Sequence, residues 1–290
     1  MTISRELVRS YSPQREKGFL GPGHTASALI NGSFKDTDPF ILLMDDNLDK
    51  KDYSPAGGPH PHAGFETVSL LIDGEIVEMI ESMKKGDFQI MTAGSGIVHT
   101  ETINQPTKGR LFQLWLDLPK KSRWIAPRLQ ILPSVHVPLV SQKGISIRLY
   151  SGSLNGVQSP VQNHVPLLVA EVIVEPHQSN RLSIPADFNA FLVIIEGAVR
   201  IGQKELTLLK GQVGWLDIHE QENESELLLH AGGEGVRFVL YAAKPVREPI
   251  ISQGPFIADS IKEIESLYRN FWAGEMKHIS TVPQNQRITY

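Results

Sequence analysis

The chain has 290 residues, 41% of them hydrophobic, with a formal net charge of −4; that is apolar material for two ordinary domains and excludes a disordered polypeptide. It contains no cysteine, so disulfides, thiolate metal ligands, iron–sulfur clusters and cysteine nucleophiles are excluded, leaving histidine and carboxylate for metal chemistry. The interspersed charges form no extended basic surface, which argues against direct nucleic-acid binding; with no apolar run of signal-peptide or membrane-span length, a cytoplasmic chain is expected.

After the charged N-terminal stretch MTISRELVRSYSPQREKG, short apolar runs alternate with Gly, Pro, Asn and Asp at close intervals, as in FILLMDDN, TVSLLIDG, DFQIMTAG and RLFQLWLDLP. This spacing predicts an all-β protein of the sandwich or barrel class. The first chemically marked stretch is PHPHAGFETV at residues 59–68, carrying His60 and His62; the second is GSGIVHTE at 94–101, carrying His99 and Glu101. Residues i and i+2 of a strand project to the same side, so two neighbouring strands with such pairs aim four ligand atoms at one point. Solvated histidines in a Pro/Gly-rich loop are the plain alternative for His60 and His62, but Pro61 biases His60 towards an extended backbone, and a second pair at the same spacing favours a metal site. Three neutral imidazoles and a carboxylate suit a borderline divalent ion, and an octahedral ion would keep two positions open. Glu66 competes as the carboxylate, because counting along the chain gives it the parity of His60 and His62. Otherwise it is a buried, paired carboxylate or a group that orients an imidazole. Gln113 is a candidate pocket residue or a half-buried strand glutamine.

An internal repeat organises the chain. SLLIDGEIVEM followed by MKKGDFQIM returns as LVIIEGAVRIG followed by LLKGQVGWL, with turn glycines at 74 and 86 in the first copy and at 197 and 211 in the second. Two similar barrels in tandem are expected, with the join near residues 133–145: an N-terminal barrel with the metal site over 1–138, a metal-free C-terminal barrel over 139–247, and a final segment over 248–290. In the second barrel, Ser183 and Pro185 fall where His60 and His62 stand. His164, His177, His219 and His230 form no pair at strand spacing. The segment ADSIKEIESLYRNFWAG predicts a helix with a Ser260–Glu263 capping box, a stripe of Ile261, Ile264, Tyr268 and Phe271 or Trp272, and a stop at Gly274.

PHPHAGFETV, MTAGSGIVHTE, GRLFQLWLDLP and the late GPFIADSIKEIESLYRNFWAGE together resemble the pirin family of the cupin superfamily. The resemblance implies two tandem cupin (jelly-roll) barrels with a C-terminal helix, and one metal, usually iron, in the first barrel. Carried over by position, the metal ligands are His60, His62, His99 and Glu101, with Glu66 and Gln113 behind them. Manganese, nickel, cobalt, copper and zinc are alternatives that the same donors accept. The resemblance implies quercetin 2,3-dioxygenase-type chemistry, opening of a flavonol ring with dioxygen, with Glu101 as catalytic base. Its alternative is a non-enzymatic, redox-responsive iron regulator that binds a protein partner. A monomer is expected. Three departures from the family pattern are Ala63 in place of Arg, Ile90 in place of Trp, and a short DGEIVEMIESMKKGD loop.

Overall fold

The protein is described by a computed structural model covering residues 3–30, 32–77 and 82–290. The middle of the DGEIVEMIESMKKGD loop lies outside the described residues. The expected all-β architecture is present, with two compact units.

One unit comprises residues 14–136 and 246–290. Among the described residues its main sheet runs, from edge to edge, Arg287–Thr289, Arg128–Leu132, Phe88–Thr92, Phe65–Val77, Thr107–Asp117, Phe40–Lys50, His24–Ala28 and Glu16–Lys17, with Ser82–Lys84 paired onto Phe65–Val77. A separate antiparallel pair, Ala56–His62 with Ile97–Ile103, carries both marked stretches. The other unit comprises residues 1–13 and 137–245. Its centre is the long strand Glu224–Ala243, flanked by Leu167–Val174 and Asn189–Ile201.

The repeat has a common physical basis in the two units. Lys85 N–H donates to the Gly74 carbonyl, and Gly86 N–H to that of Leu71; Lys210 to Gly197 and Gly211 to Ile194 reproduce the same bonds at the same 3.0 and 2.8 Å. Gly74 and Gly197 have φ of +81° and +72°, and a Cβ on either would lie 2.1 or 2.0 Å from a backbone oxygen. Only glycine meets both demands, which is why the residue recurs at the turn.

A linear division of the chain into 1–138, 139–247 and 248–290 differs from the observed units, because both termini cross over. The strand Leu7–Tyr11 pairs with Val213–Leu216, and buried Arg5 donates to the carbonyls of Pro185, Ala186 and Phe188. Residues 246–290 instead return to the first barrel, whose Asp38 carboxylate accepts from the N–H groups of Val246 and Arg247. The interior of the second barrel is filled by residues such as Leu182, Ile184, Leu227 and Leu229. Ser183, aligned with His60, instead donates to Glu224.

The helix spans Ile261–Trp272 with Ser260 as its N-cap, and Ser260 Oγ accepts from Glu263 N–H while donating to Glu263 Oε2. Its buried face differs from the expected stripe: Ile264 and Leu267 are buried with Tyr268 and Phe271 against them, whereas Ile261 and Trp272 are exposed. This face covers Phe256, Ala258 and fully buried Ala63, the residue that follows His62.

Candidate metal centre

Antiparallel pairing sets His60 directly opposite His99, with His62 opposite Ile97 and Glu101 opposite Gly58. Pro59 and Pro61 are tolerated because the pair stands outside the main sheet. The alternation of the two strands turns three imidazoles to one side, and their ligand atoms lie within 4.8 Å of one another. His60 Nε2 and His99 Nε2 are 2.7 Å apart. His60 Nδ1 lies 2.9 Å from the Gly58 carbonyl; a carbonyl only accepts, so Nδ1 carries the proton and Nε2 presents its lone pair. His62 Nδ1 is buried with no hydrogen-bond partner among the described residues. The lone pair on His60 Nε2, with a second imidazole nitrogen 2.7 Å away and the His62 ring beside them, makes a set of neutral nitrogen donors that fits a metal.

Glu101 stands at the edge of this cluster, with Oε2 3.7 Å from His60 Nε2 and Oε1 3.8 Å from His99 Nδ1. Gln113 Nε2 donates to Oε1 at 3.1 Å and orients the carboxylate. Behind the imidazoles, Phe65 and Trp115 lie 5.2 and 5.3 Å from the His62 ring, between centroids. Sequence reading missed these two, although both sit in the quoted motifs; apolar second contacts leave no spacing signature.

Glu66 faces elsewhere. The chain leaves one sheet at His62 and enters another at Phe65, with Gly64 at φ +85° between them, so parity counted from His62 does not carry across. Phe65 turns to His62, and strand alternation points Glu66 to the opposite face. There it is fully buried, accepts from Thr92 Oγ1 at 2.6 Å, and has Oε2 without a partner among the described residues. Burial pushes its carboxyl above the ordinary range, opposed by Thr92 and Arg128.

The C-terminal segment braces both ligand strands. Ile257 N–H donates to the Ala63 carbonyl at 3.0 Å and Val98 N–H to that of Lys277 at 2.9 Å, and Thr100 Oγ1 meets His278 Nε2 at 2.9 Å. Arg123 Nη1 reaches the Gly64 carbonyl at 3.1 Å, and Nε reaches Asp259 at 3.0 Å.

Burial holds His62 well below the ordinary imidazole pKa, with His99 and His60 adding to the effect. Burial also brings His99 down to about 4, against the opposing pull of Glu101. Both imidazoles are therefore neutral, and available to coordinate, over the physiological range. Below about pH 6.5 the unfolded chain protonates His62 and His99 and the folded, metal-free protein does not, so these two groups lower stability from about pH 6.5 towards about 4. Metal occupancy measured by equilibrium dialysis is expected to fall as the pH drops well below about 6, the ordinary imidazole range, and to be lost by about 4. Occupancy unchanged at pH 3.5 would exclude imidazole ligation.

Comparison with known proteins agrees with this architecture. Residues 24–116 match the pirin family and 169–277 the pirin C-terminal cupin domain. A pirin-like protein of Solanum lycopersicum is 32% identical over 244 residues, spanning 82% of this chain and 81% of that protein. Among solved structures, GK1651 of Geobacillus kaustophilus aligns with a TM-score of 0.76 at 34% identity, over 86% of this chain and 100% of that one. A quercetin 2,3-dioxygenase of Acinetobacter baumannii aligns with a TM-score of 0.79 at 25% identity, over 93% and 98%. The chain belongs to the pirin family, and its two barrels are that family's tandem cupin domains.

Proposed function

We propose that the protein is a metal-dependent dioxygenase that opens a flavonol or a related hydroxylated aromatic ring with dioxygen, using His60, His62, His99 and Glu101 as ligands and ferrous iron as the first candidate metal. The observation that carries this reading is the convergence of three imidazoles beside a carboxylate that faces a cavity. Likeness to the Acinetobacter quercetin 2,3-dioxygenase supports the substrate class. A bound divalent ion would supply positive charge that acidifies a substrate hydroxyl and a redox partner for dioxygen.

The chain's own residues supply the rest. The Gly58 carbonyl orients His60, and burial against Phe65 and Trp115 fixes His62, before any ligand arrives. Glu101 lines the cavity and is placed to accept the hydroxyl proton, with Gln113 holding Oε1 and Oε2 3.7 Å from His60 Nε2. Leu48, Ile103 and Leu111 form the apolar wall that excludes water from the reacting ring. Glu101→Gln is expected to keep most of the metal and to lower oxygen uptake with quercetin by about 100-fold or more. Equal turnover would remove Glu101 as base.

The alternative is an iron-dependent, redox-responsive regulator of a protein partner, and the size of the cavity is the observation in its favour. It measures about 80 Å³, against the roughly 300–1,000 Å³ of pockets that bury drug-sized ligands.

A further inference from the structure

At about 80 Å³, the cavity beside Glu101 and His60 is too small as it stands to bury a flavonol-sized ring system. Three of its walls cannot yield cheaply. Asp46 and Leu48 lie on Phe40–Lys50, Leu111 and Gln113 on Thr107–Asp117, and Glu101 and Ile103 on Ile97–Ile103, each paired along a ladder. The fourth wall is different. Phe19 and Leu20 sit at the tip of the hairpin between Glu16–Lys17 and His24–Ala28, and only two residues of its outer strand are paired.

That tip is gathered around one side chain. His24 is buried, and its Nε2 meets Asp46 Oδ1 at 2.8 Å. A carboxylate accepts, so Nε2 carries the proton and Nδ1 is free to accept; it does so from Leu20 N–H at 3.1 Å. The chain passes over the imidazole so closely that a Cβ on Gly18 would lie 2.0 Å from His24 Nδ1. Leu20 packs with Leu48, Leu71, Ile76 and Ile103, closing the cavity. Phe19 is 83% exposed at the lip, its ring 5.4 Å from that of His24, a surface that a planar ring can cover.

We propose that residues 18–23 form a lid over the candidate metal centre, latched by the hydrogen bond from Leu20 N–H to His24 Nδ1, and that Leu20 sets the size of the ring system reaching Glu101. The ligand's identity rests on the oxygenase reading; the latch does not. Gly18 N–H to the His24 carbonyl, His24 N–H to that of Gly21 and Asp49 N–H to that of Gly23 anchor the ends of the segment, so opening is a swing of the Phe19–Leu20 tip that breaks the Leu20–His24 bond and withdraws one leucine.

Two variants separate the latch from general damage. His24→Gln can still donate to Asp46 but loses the ring nitrogen that accepts from Leu20, whereas His24→Asn places its amide oxygen near the position of Nδ1. In the full-length protein, Leu20 amide exchange followed by NMR is expected to quicken about fivefold in His24→Gln and to stay within about twofold in His24→Asn. Equal behaviour of the two variants overturns the latch. For the size gate, metal-loaded protein is titrated without oxygen with catechol, a single ring, and with quercetin. Leu20→Ala is expected to raise quercetin affinity about tenfold and catechol affinity less than twofold. Equal changes for both ligands, or quercetin binding to neither protein, overturn the gate. Quercetin that binds with the expected gain but supports no oxygen uptake overturns the oxygenase reading alone.

Discussion

Replacing His99 with alanine is expected to abolish stoichiometric metal retention and, with it, oxygen uptake with quercetin. His99 stands directly across the strand pair from His60, with the two Nε2 atoms 2.7 Å apart, so its removal deletes one of three converging donors and leaves Glu101 without the imidazole behind Oε1. Substitutions one shell further out cost about 10–100-fold in metal affinity, so losing a direct ligand is expected to exceed about 100-fold. The backbone ladder between the two strands does not depend on the side chain, so circular dichroism of the variant should match the parent. The measurement is metal content and oxygen uptake on iron-loaded protein prepared without oxygen, parent beside variant. Full metal retention by the variant would show that the three imidazoles are not the site. Uptake that persists without metal would place the chemistry elsewhere. Full, His99-dependent loading of a parent that consumes no oxygen would move the regulator reading to first place, with the change in iron charge biasing a partner's binding.

The largest effect on stability is expected at Arg123. Its side chain is fully buried, as is Asp117, to which Nη1 donates at 2.8 Å, while Nε binds Asp259 and Nη1 also reaches the Gly64 carbonyl. One guanidinium thus ties the first barrel, the returning C-terminal segment and the turn after His62. Arg123→Ala removes the partner of Asp117, Asp259 and the Gly64 carbonyl together with the packing of the side chain; breaking such a buried pair usually costs about 3–5 kcal/mol, and in a unit of this size that is a fall in Tm of roughly 6–20 °C. Arg123→Lys keeps the charge but not the fork, and is expected to fall in between.

The pH signature separates lost charge pairing from lost packing. Burial, partly offset by Arg123, pushes the Asp117 carboxyl up to about 6. Its folded-state value lies above the unfolded one, so the folded protein binds the proton more readily, and this group lowers stability as pH rises from about 4 to 6. Without Arg123 the carboxyl shifts further up, so the deficit of Arg123→Ala measured by thermal melts should shrink between pH 7 and 5. A deficit that is flat with pH would mean that packing, not the stranded charge, carries the loss.

Several features were legible in the chain because they are local. The His-x-His and His-x-Glu pairs need only the two-residue period of a strand. The recurring turn glycines need only a left-handed φ, and the Ser260–Glu263 cap spans four residues of one helix turn. The helix stripe was half legible: its periodicity was readable, but which edge of it is covered depends on the position of Phe256 and Ala63.

Other features were set by residues far apart in sequence. The two strands that carry the histidines are braced by residues 246–290, which follow the whole second barrel in the sequence but belong to the first unit. Parity could not place Glu66, because a left-handed glycine and a change of sheet reset the count between His62 and Phe65. His24 and Asp46 stand 22 residues apart and meet only because their strands are neighbours. The sequence by itself determined that this is a pair of β-barrels with four metal-competent side chains at strand spacing, since those signals lie within one turn or one strand. Only the tertiary structure decided which terminus completes which barrel, which carboxylate faces the imidazoles and how small a space lies before them, because each depends on non-local pairing that no short window of residues encodes.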